Sequence, residues 1–251
     1  MPFTTRRGLR IHYTVEGSGP LVVLQHGFLM DASSWKTSGF VDALTDRFQV
    51  ACVDSLGHGL SDKPADTAPY SQAQRAGDIV AVIDDLGSDR AHLVGYSMGS
   101  WMSVGVAKHH AERLASLTVG GWDIVRGVAS AMPGNMPVPD FDQVMAGARL
   151  MAPDLVDWVT PEVGPGLRAC WAALGELDGA EAAVLALPVP VMLWNGLADP
   201  YQTPMRTFAV ANGLRFLSTP GDHLGALLVH GVEGVAGICS FLDETTAALR
   251  P

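Results

Sequence analysis

The sequence predicts a doubly wound α/β protein: a mostly parallel sheet of about eight strands with helices on both faces and a small helical lid inserted after the sixth strand. Three observations predict it. Short runs that are apolar throughout recur along the 251 residues, as expected of parallel strands buried on both faces. Helical periodicity fills the intervals, so strand and helix alternate. With 48% hydrophobic residues the chain can fill one large core, and 28 Gly with 16 Pro suit a loop-rich chain better than a helical array.

The elements follow in order. Alternation in Phe3 to Thr5 and Leu9 to Val15, broken at Gly8 and closed by Gly17-Ser18-Gly19-Pro20, predicts an antiparallel hairpin feeding the sheet. Leu21 to Leu24 and Phe48 to Val53 are the next strands. Asp78 to Leu86 has helical spacing, with Gly87 where a helix stop belongs. His92 to Gly95 is a strand and Ser100 to Ala111 the helix behind it, followed by the strand Leu117 to Gly120. The rhythm then lapses from Trp122 to about Pro188. Met132 to Pro139 reads as loop, and Phe141 to Met151 and Gly166 to Leu174 read as helices. We take this stretch as a lid over the carboxyl edge of the sheet. Strands at Val189 to Trp194 and Leu214 to Leu217 and a final helix complete the core. The expected division is core 1–122, lid 123–187 and core 188–251, with no internal repeat.

Composition also excludes functions. A formal charge of -10 with scattered basic residues disfavours nucleic acid and anionic membranes, which select clustered Lys and Arg. Only Arg6, Arg7 and Arg10 gather, and a solvated hairpin accounts for them. No apolar run reaches membrane-spanning length, and no signal peptide is visible before Leu9. Cys52, Cys170 and Cys239 are isolated, which points away from a disulfide framework or zinc knuckle and toward a reducing compartment. We expect a soluble cytoplasmic protein with no membrane or nucleic-acid partner; homo-oligomerisation stays open.

The chemistry centres on Gly95-Tyr96-Ser97-Met98-Gly99, which joins a strand to a helix. A serine on such a turn is held out of the sheet with its oxygen exposed, and the glycines make room for the bend. Its hydroxyl needs a base to take its proton and a third group to hold that base. His223 follows the strand Leu214 to Leu217, and Asp199 follows Val189 to Trp194, so both reach the carboxyl edge, where open α/β sheets bind ligands. Ser, then Asp, then His is the chain order expected of such a triad on this kind of sheet. The oxyanion of an acyl transfer needs backbone N–H donors. Met98 would supply one, and Phe28, in His26-Gly27-Phe28 after the strand Leu21 to Leu24, the other.

These features resemble the α/β-hydrolase fold superfamily: His26-Gly27-Phe28, Asp54-Ser55-Leu56-Gly57-His58-Gly59-Leu60-Ser61, the pentapeptide around Ser97, Asp199-Pro200 and Gly221-Asp222-His223, in the family's order along nearly the whole chain. Within it the chain is similar to the group of carboxylesterases, enol-lactonases, meta-cleavage C–C hydrolases and cofactor-free haloperoxidases. The resemblance implies hydrolysis through an acyl-enzyme without a cofactor. Haloalkane dehalogenases and epoxide hydrolases of this fold carry a carboxylate where this chain has Ser97, so neither activity is expected. Relatives that cleave C–C bonds usually carry Asn where this chain has Tyr96. Other members keep a triad yet act as ligand receptors with very slow turnover, and an inert scaffold is disfavoured by the intact triad.

Plainer roles exist for each residue. Ser97 could be only a helix N-cap and His223 only a loop histidine bonded to backbone. Asp123, after the strand Leu117 to Gly120, stands where some relatives keep their acid; otherwise it caps the lid's first helix. Asp222 is expected to be solvated. His26 should brace the oxyanion loop, and His58, between two glycines, should be structural. His109-His110 point apart on a helix, so no metal is expected. The lid is rich in Met and Trp (Met132, Met136, Met145, Met151, Trp158, Trp171), most of which should pack it onto the core. Leu29, Met30, Tyr96 and Trp122 are the candidate pocket residues. The expected activity is a serine esterase or lactonase acting on a small to medium apolar ester or lactone.

Overall fold

Eight strands in the order β1-β2-β4-β3-β5-β6-β7-β8 form the frame of the computed structural model, which describes residues 2–248. In chain order the elements are β1 (Phe3–Arg6), β2 (Leu9–Gly17), β3 (Leu21–Gln25), α1 (Ser33–Thr37), α2 (Phe40–Leu44), β4 (Gln49–Val53), α3 (Gln72–Asp85), β5 (Ala91–Tyr96), α4 (Met98–His109) and β6 (Leu114–Gly120). Then come α5 (Phe141–Met151), α6 (Gly164–Ala173), α7 (Ala180–Leu185), β7 (Val191–Gly196), α8 (Gln202–Asn212), β8 (Arg215–Thr219), α9 (Gly225–Leu228) and α10 (Gly231–Ala248). β1 and β2 pair antiparallel, β2 joins β4 antiparallel, and every later pairing is parallel. This is the doubly wound sheet that the apolar runs predict.

Burial on both faces explains why those runs do not alternate. Along β3, Leu21 and Val23 join the core under α3 and α4, whereas Val22 and Leu24 join the core under α1, α2 and α10. Every residue of β3, β5, β6 and β7 is buried, while β8, at the sheet's edge, is only partly so. No helix among the described residues is long and apolar enough to cross a membrane.

The segment 123–187 is not uniform. α5 starts at Phe141 because Asp140 and Gln143 cap it reciprocally, each side chain accepting the other's backbone N–H at 2.9 Å. Phe141, Met145, Val156 and Leu167 form a small core with Leu29, which seats α5 and α6 on the loop after β3. Ala180 and Val184 of α7 instead belong to the large core with α4, so the chain has rejoined the main body before β7 begins.

Candidate active site

Ser97 occupies the junction of β5 and α4 with φ 53° and ψ -118°, a left-handed conformation unusual for a residue with a side chain. Such a backbone costs roughly 1–3 kcal/mol and persists only where its surroundings enforce it. Here they do. The Ser97 N–H donates to Gly120 O at 2.8 Å, and Ser100 Oγ bridges the Gly120 carbonyl and N–H at 2.7 and 2.8 Å. The bend also needs both flanking glycines: a Cβ at Gly95 would lie 2.5 Å from Gly99 O, and one at Gly99 only 2.0 Å from Gln25 O.

The loops after β7 and β8 bring the other two groups to this turn. His223 Nε2 lies 3.0 Å from Ser97 Oγ, and His223 Nδ1 lies 3.1 Å from Asp199 Oδ2. Asp199 is buried, and its second oxygen accepts the Tyr201 N–H at 3.0 Å, which fixes the carboxylate plane. An ionised Asp199 selects the imidazole tautomer with its proton on Nδ1, leaving the Nε2 lone pair toward the serine. The His223 side chain remains 29% exposed, so these three groups open toward solvent. Asp222 turns away: its Oδ1 accepts the N–H groups of Leu224 and Gly225 and starts α9. Among the described residues, Asp123 makes no hydrogen bond to the imidazole. Its Oδ1 accepts the N–H groups of Val125 and Arg126 at 2.8 Å, capping the turn where the lid segment begins.

The loop after β3 approaches the serine closely, because a Cβ at Gly27 would stand 3.3 Å from Ser97 Cβ. Among the described residues, neither the Phe28 N–H nor the Met98 N–H donates to an acceptor of the chain, so both donors are free for a ligand. Leu29, the next residue, is held at φ 67° from two sides. Its N–H donates to His58 Nε2 at 3.2 Å, and its carbonyl accepts from Trp158 Nε1 at 3.1 Å. His26 Nδ1 donates to Gly27 O at 2.7 Å while its Nε2 accepts the Ser55 N–H at 3.0 Å. Both rings therefore act as neutral acceptors. Burial pushes the His26 and His58 pKa values down, that of His58 far down, which keeps them so.

The candidate pocket residues take different places. Phe28 packs on Trp171 of the lid and on His58, with ring centroids 5.2 and 5.4 Å away. Leu29 faces the lid core, and Met30 lies in the core under α1 and α2. Trp122 is buried in the large core beside Tyr201, 6.2 Å between rings. The Met98 side chain is buried against Arg75 and Cys170. Tyr96 is wholly buried, and its hydroxyl donates to the backbone carbonyl of His223 at 2.6 Å. Of the lid methionines and tryptophans, Met145 is buried while Met136 and Met151 are 62% and 82% exposed. Two residues go unnoticed in the sequence as parts of this site, Tyr201, whose ring stands edge-on 5.5 Å from His223, and Arg75, while Trp158 is read there only as one of the lid's aromatic residues. Only Tyr201 carried a signal, being two residues after Asp199.

Comparison with known proteins identifies the family of the fold. A family model described as alpha/beta hydrolase fold matches residues 20–162. An uncharacterized protein of Mycobacterium tuberculosis is 34% identical over 207 residues, covering 80% of this chain and 54% of that protein. The cis-3-alkyl-4-alkyloxetan-2-one decarboxylase of Shewanella oneidensis is 33% identical over 139 residues, covering 55% of this chain and 42% of the relative. The chain thus spans about half the length of the curated relatives it matches. Among solved structures, the enol-lactonase from Burkholderia xenovorans LB400 superposes with a TM-score of 0.76 at 24% identity, covering 96% of this chain and 100% of that one. With the family model matching more than half of its length, the chain belongs to the alpha/beta hydrolase fold family.

Proposed function

We propose that the protein is a serine hydrolase that cleaves a small to medium, largely apolar carboxylic ester or lactone through an acyl-enzyme. One observation carries the reading: the relay from Ser97 Oγ to His223 Nε2 at 3.0 Å and from His223 Nδ1 to Asp199 at 3.1 Å, on a strained strand-to-helix turn. In this reading His223 takes the Ser97 proton as Oγ attacks the carbonyl carbon. Asp199 holds the tautomer and stabilises the imidazolium, and the Phe28 and Met98 N–H groups hold the oxyanion. The leaving alkoxide takes the proton from His223. Water then attacks the acyl carbon with His223 again as base, releasing the acid and restoring Ser97.

Apolar Phe28 and Trp171 beside the site support an apolar substrate. Two relatives are named for cyclic esters, an oxetan-2-one and an enol-lactone, so lactones belong in the first screen. Three buried, unbridged cysteines suit a reducing compartment, and we place the reaction in the cytoplasm.

Chromogenic esters and lactones of graded size, with a fluorophosphonate probe in parallel, test the reading. We expect labelling at Ser97, and a loss of turnover of at least about a thousandfold in Ser97→Ala with the fold retained. Near-native activity in that variant would refute the assignment. Turnover far below about one per second on every substrate, with tight binding of one of them, would indicate a receptor instead.

A further inference from the structure

One charged side chain beside the site forms no ion pair among the described residues, although the Asp78 carboxylate, itself paired with Arg6 and Arg7, feels its field. Arg75, in the first turns of α3, is fully buried, and among the described residues no carboxylate pairs with it. Its Nη1 donates to two sulfurs, Met98 Sδ at 3.4 Å and Cys170 Sγ at 3.0 Å. The guanidinium stands 5.6 Å from the centroid of the Tyr70 ring, and Nε and Nη2 find no acceptor. Arginine keeps its proton in proteins, so the site holds a full positive charge in a medium of thioether, thiol and arene. An unpaired charge there weakens the fold, and an apolar side chain of the same length would pack without that penalty.

Its location gives the charge a use. Met98 connects it to the oxyanion hole: the side chain of Met98 touches the guanidinium, and its free N–H opens α4 directly after Ser97. We propose that Arg75 is a positioning residue that supplies a fixed positive field to the oxyanion hole through the buried wall of Met98, Cys170 and Tyr70, without touching substrate. The proposal rests on the serine-hydrolase reading and adds a source of transition-state stabilisation to it. A preoriented charge behind a dry wall acts on an oxyanion more strongly than on a neutral ground-state carbonyl. The far side of the hole feels the same field. His26 and His58 are kept neutral chiefly by burial, with a smaller push from His26 and then Arg75 at His58 and only a minor one from Arg75 at His26, and in that form they accept the Ser55 and Leu29 N–H groups that hold the oxyanion loop.

The test compares Arg75→Met, Arg75→Lys and wild type on one neutral chromogenic ester, together with thermal unfolding and inhibition by a trifluoromethyl ketone, whose adduct carries the oxyanion. With a full charge removed from the dry wall behind the oxyanion, Arg75→Met should lower kcat by at least about tenfold. KM should stay within about twofold, and affinity for the ketone should fall by the same factor as kcat. Tm should rise, because the buried unpaired charge is gone. Arg75→Lys should recover most of the lost kcat. Arg75→Gln, neutral but polar, gives the same comparison if the methionine variant does not fold. A wild-type kcat in the neutral variants, or equal losses in the Lys and Met variants with both Tm values lowered, would overturn the proposal while the wild type still turns over. No turnover and no fluorophosphonate labelling of the wild type would overturn the hydrolase reading, and this proposal with it.

Discussion

Tyr96 and His223 are joined by a hydrogen bond from the phenol to the imidazole residue's own carbonyl, 2.6 Å long, across 127 positions of sequence. The residue before the proposed nucleophile thereby holds the loop that carries the proposed base. Burial first, and then Asp199 and Asp222, push the Tyr96 pKa well above its ordinary value, so the phenol remains a donor into alkaline solution.

Removing that hydroxyl tests how much the loop depends on it. Tyr96→Phe leaves the ring in place and the His223 carbonyl unpaired, at a cost of about 1–2 kcal/mol. We expect kcat to fall about tenfold as the imidazole drifts from Ser97, while the fluorophosphonate still labels the serine. Steady-state kinetics and labelling rates measure both.

Asp199 and Asp123 should separate cleanly. Asp199→Asn loses the acceptor that selects the His223 tautomer, and turnover should drop by about a thousandfold or more. Asp123→Ala frees two N–H groups at the start of the lid segment and should lower stability by about 1–2 kcal/mol with kcat changed less than about threefold. The reverse pattern in kcat would move the acid to position 123.

Strain at position 97 predicts that glycine there is more stable than alanine. Glycine adopts the φ of 53° at position 97 without steric penalty, and alanine does not. Ser97→Gly should therefore unfold at higher temperature than Ser97→Ala, by the equivalent of about 1 kcal/mol, with both variants inactive. Calorimetry of the two variants decides the matter.

His92 predicts an acid weakness remote from the site. It is buried on β5 between Ser116 and Thr246, and burial lowers its pKa from 6.5 to about 4. Between these values the unfolded chain holds a proton that the folded chain refuses. Stability is therefore complete above pH 6.5 and declines as the pH falls toward 4, by on the order of 3 kcal/mol from this residue. Urea titrations of wild type and His92→Gln from pH 7 to pH 4 should show a shallower decline in the variant.

Much of this architecture is legible in the sequence because burial on two faces leaves a direct record: an uninterrupted apolar run such as Leu21 to Leu24 cannot face water on either side. The nucleophile turn is legible for a similar reason, since Gly95 and Gly99 flank a bend where any Cβ meets backbone. Ser97, Asp199 and His223 could be picked because each follows a strand at the same edge. Other parts leave no such record. Nothing about a leucine announces a φ of 67°, which Leu29 adopts only because His58 and Trp158 hold its two peptide groups. Arg75 sits in a helical run where an arginine would ordinarily face solvent, and its burial follows from the seating of Cys170 against it. Tyr96 reads as a pocket aromatic until the loop after β8 is seen to close over its hydroxyl. α7 reads as lid because strand rhythm is lost before it, although Ala180 and Val184 return it to the core.

The indole of Trp158 reaches out of the inserted segment to grip Leu29, one position beyond a proposed oxyanion donor. Anyone exchanging that insertion to admit bulkier substrates would also loosen the alignment of Phe28, so selectivity and rate would change together. Grafts that keep an indole donor at position 158 should escape this coupling.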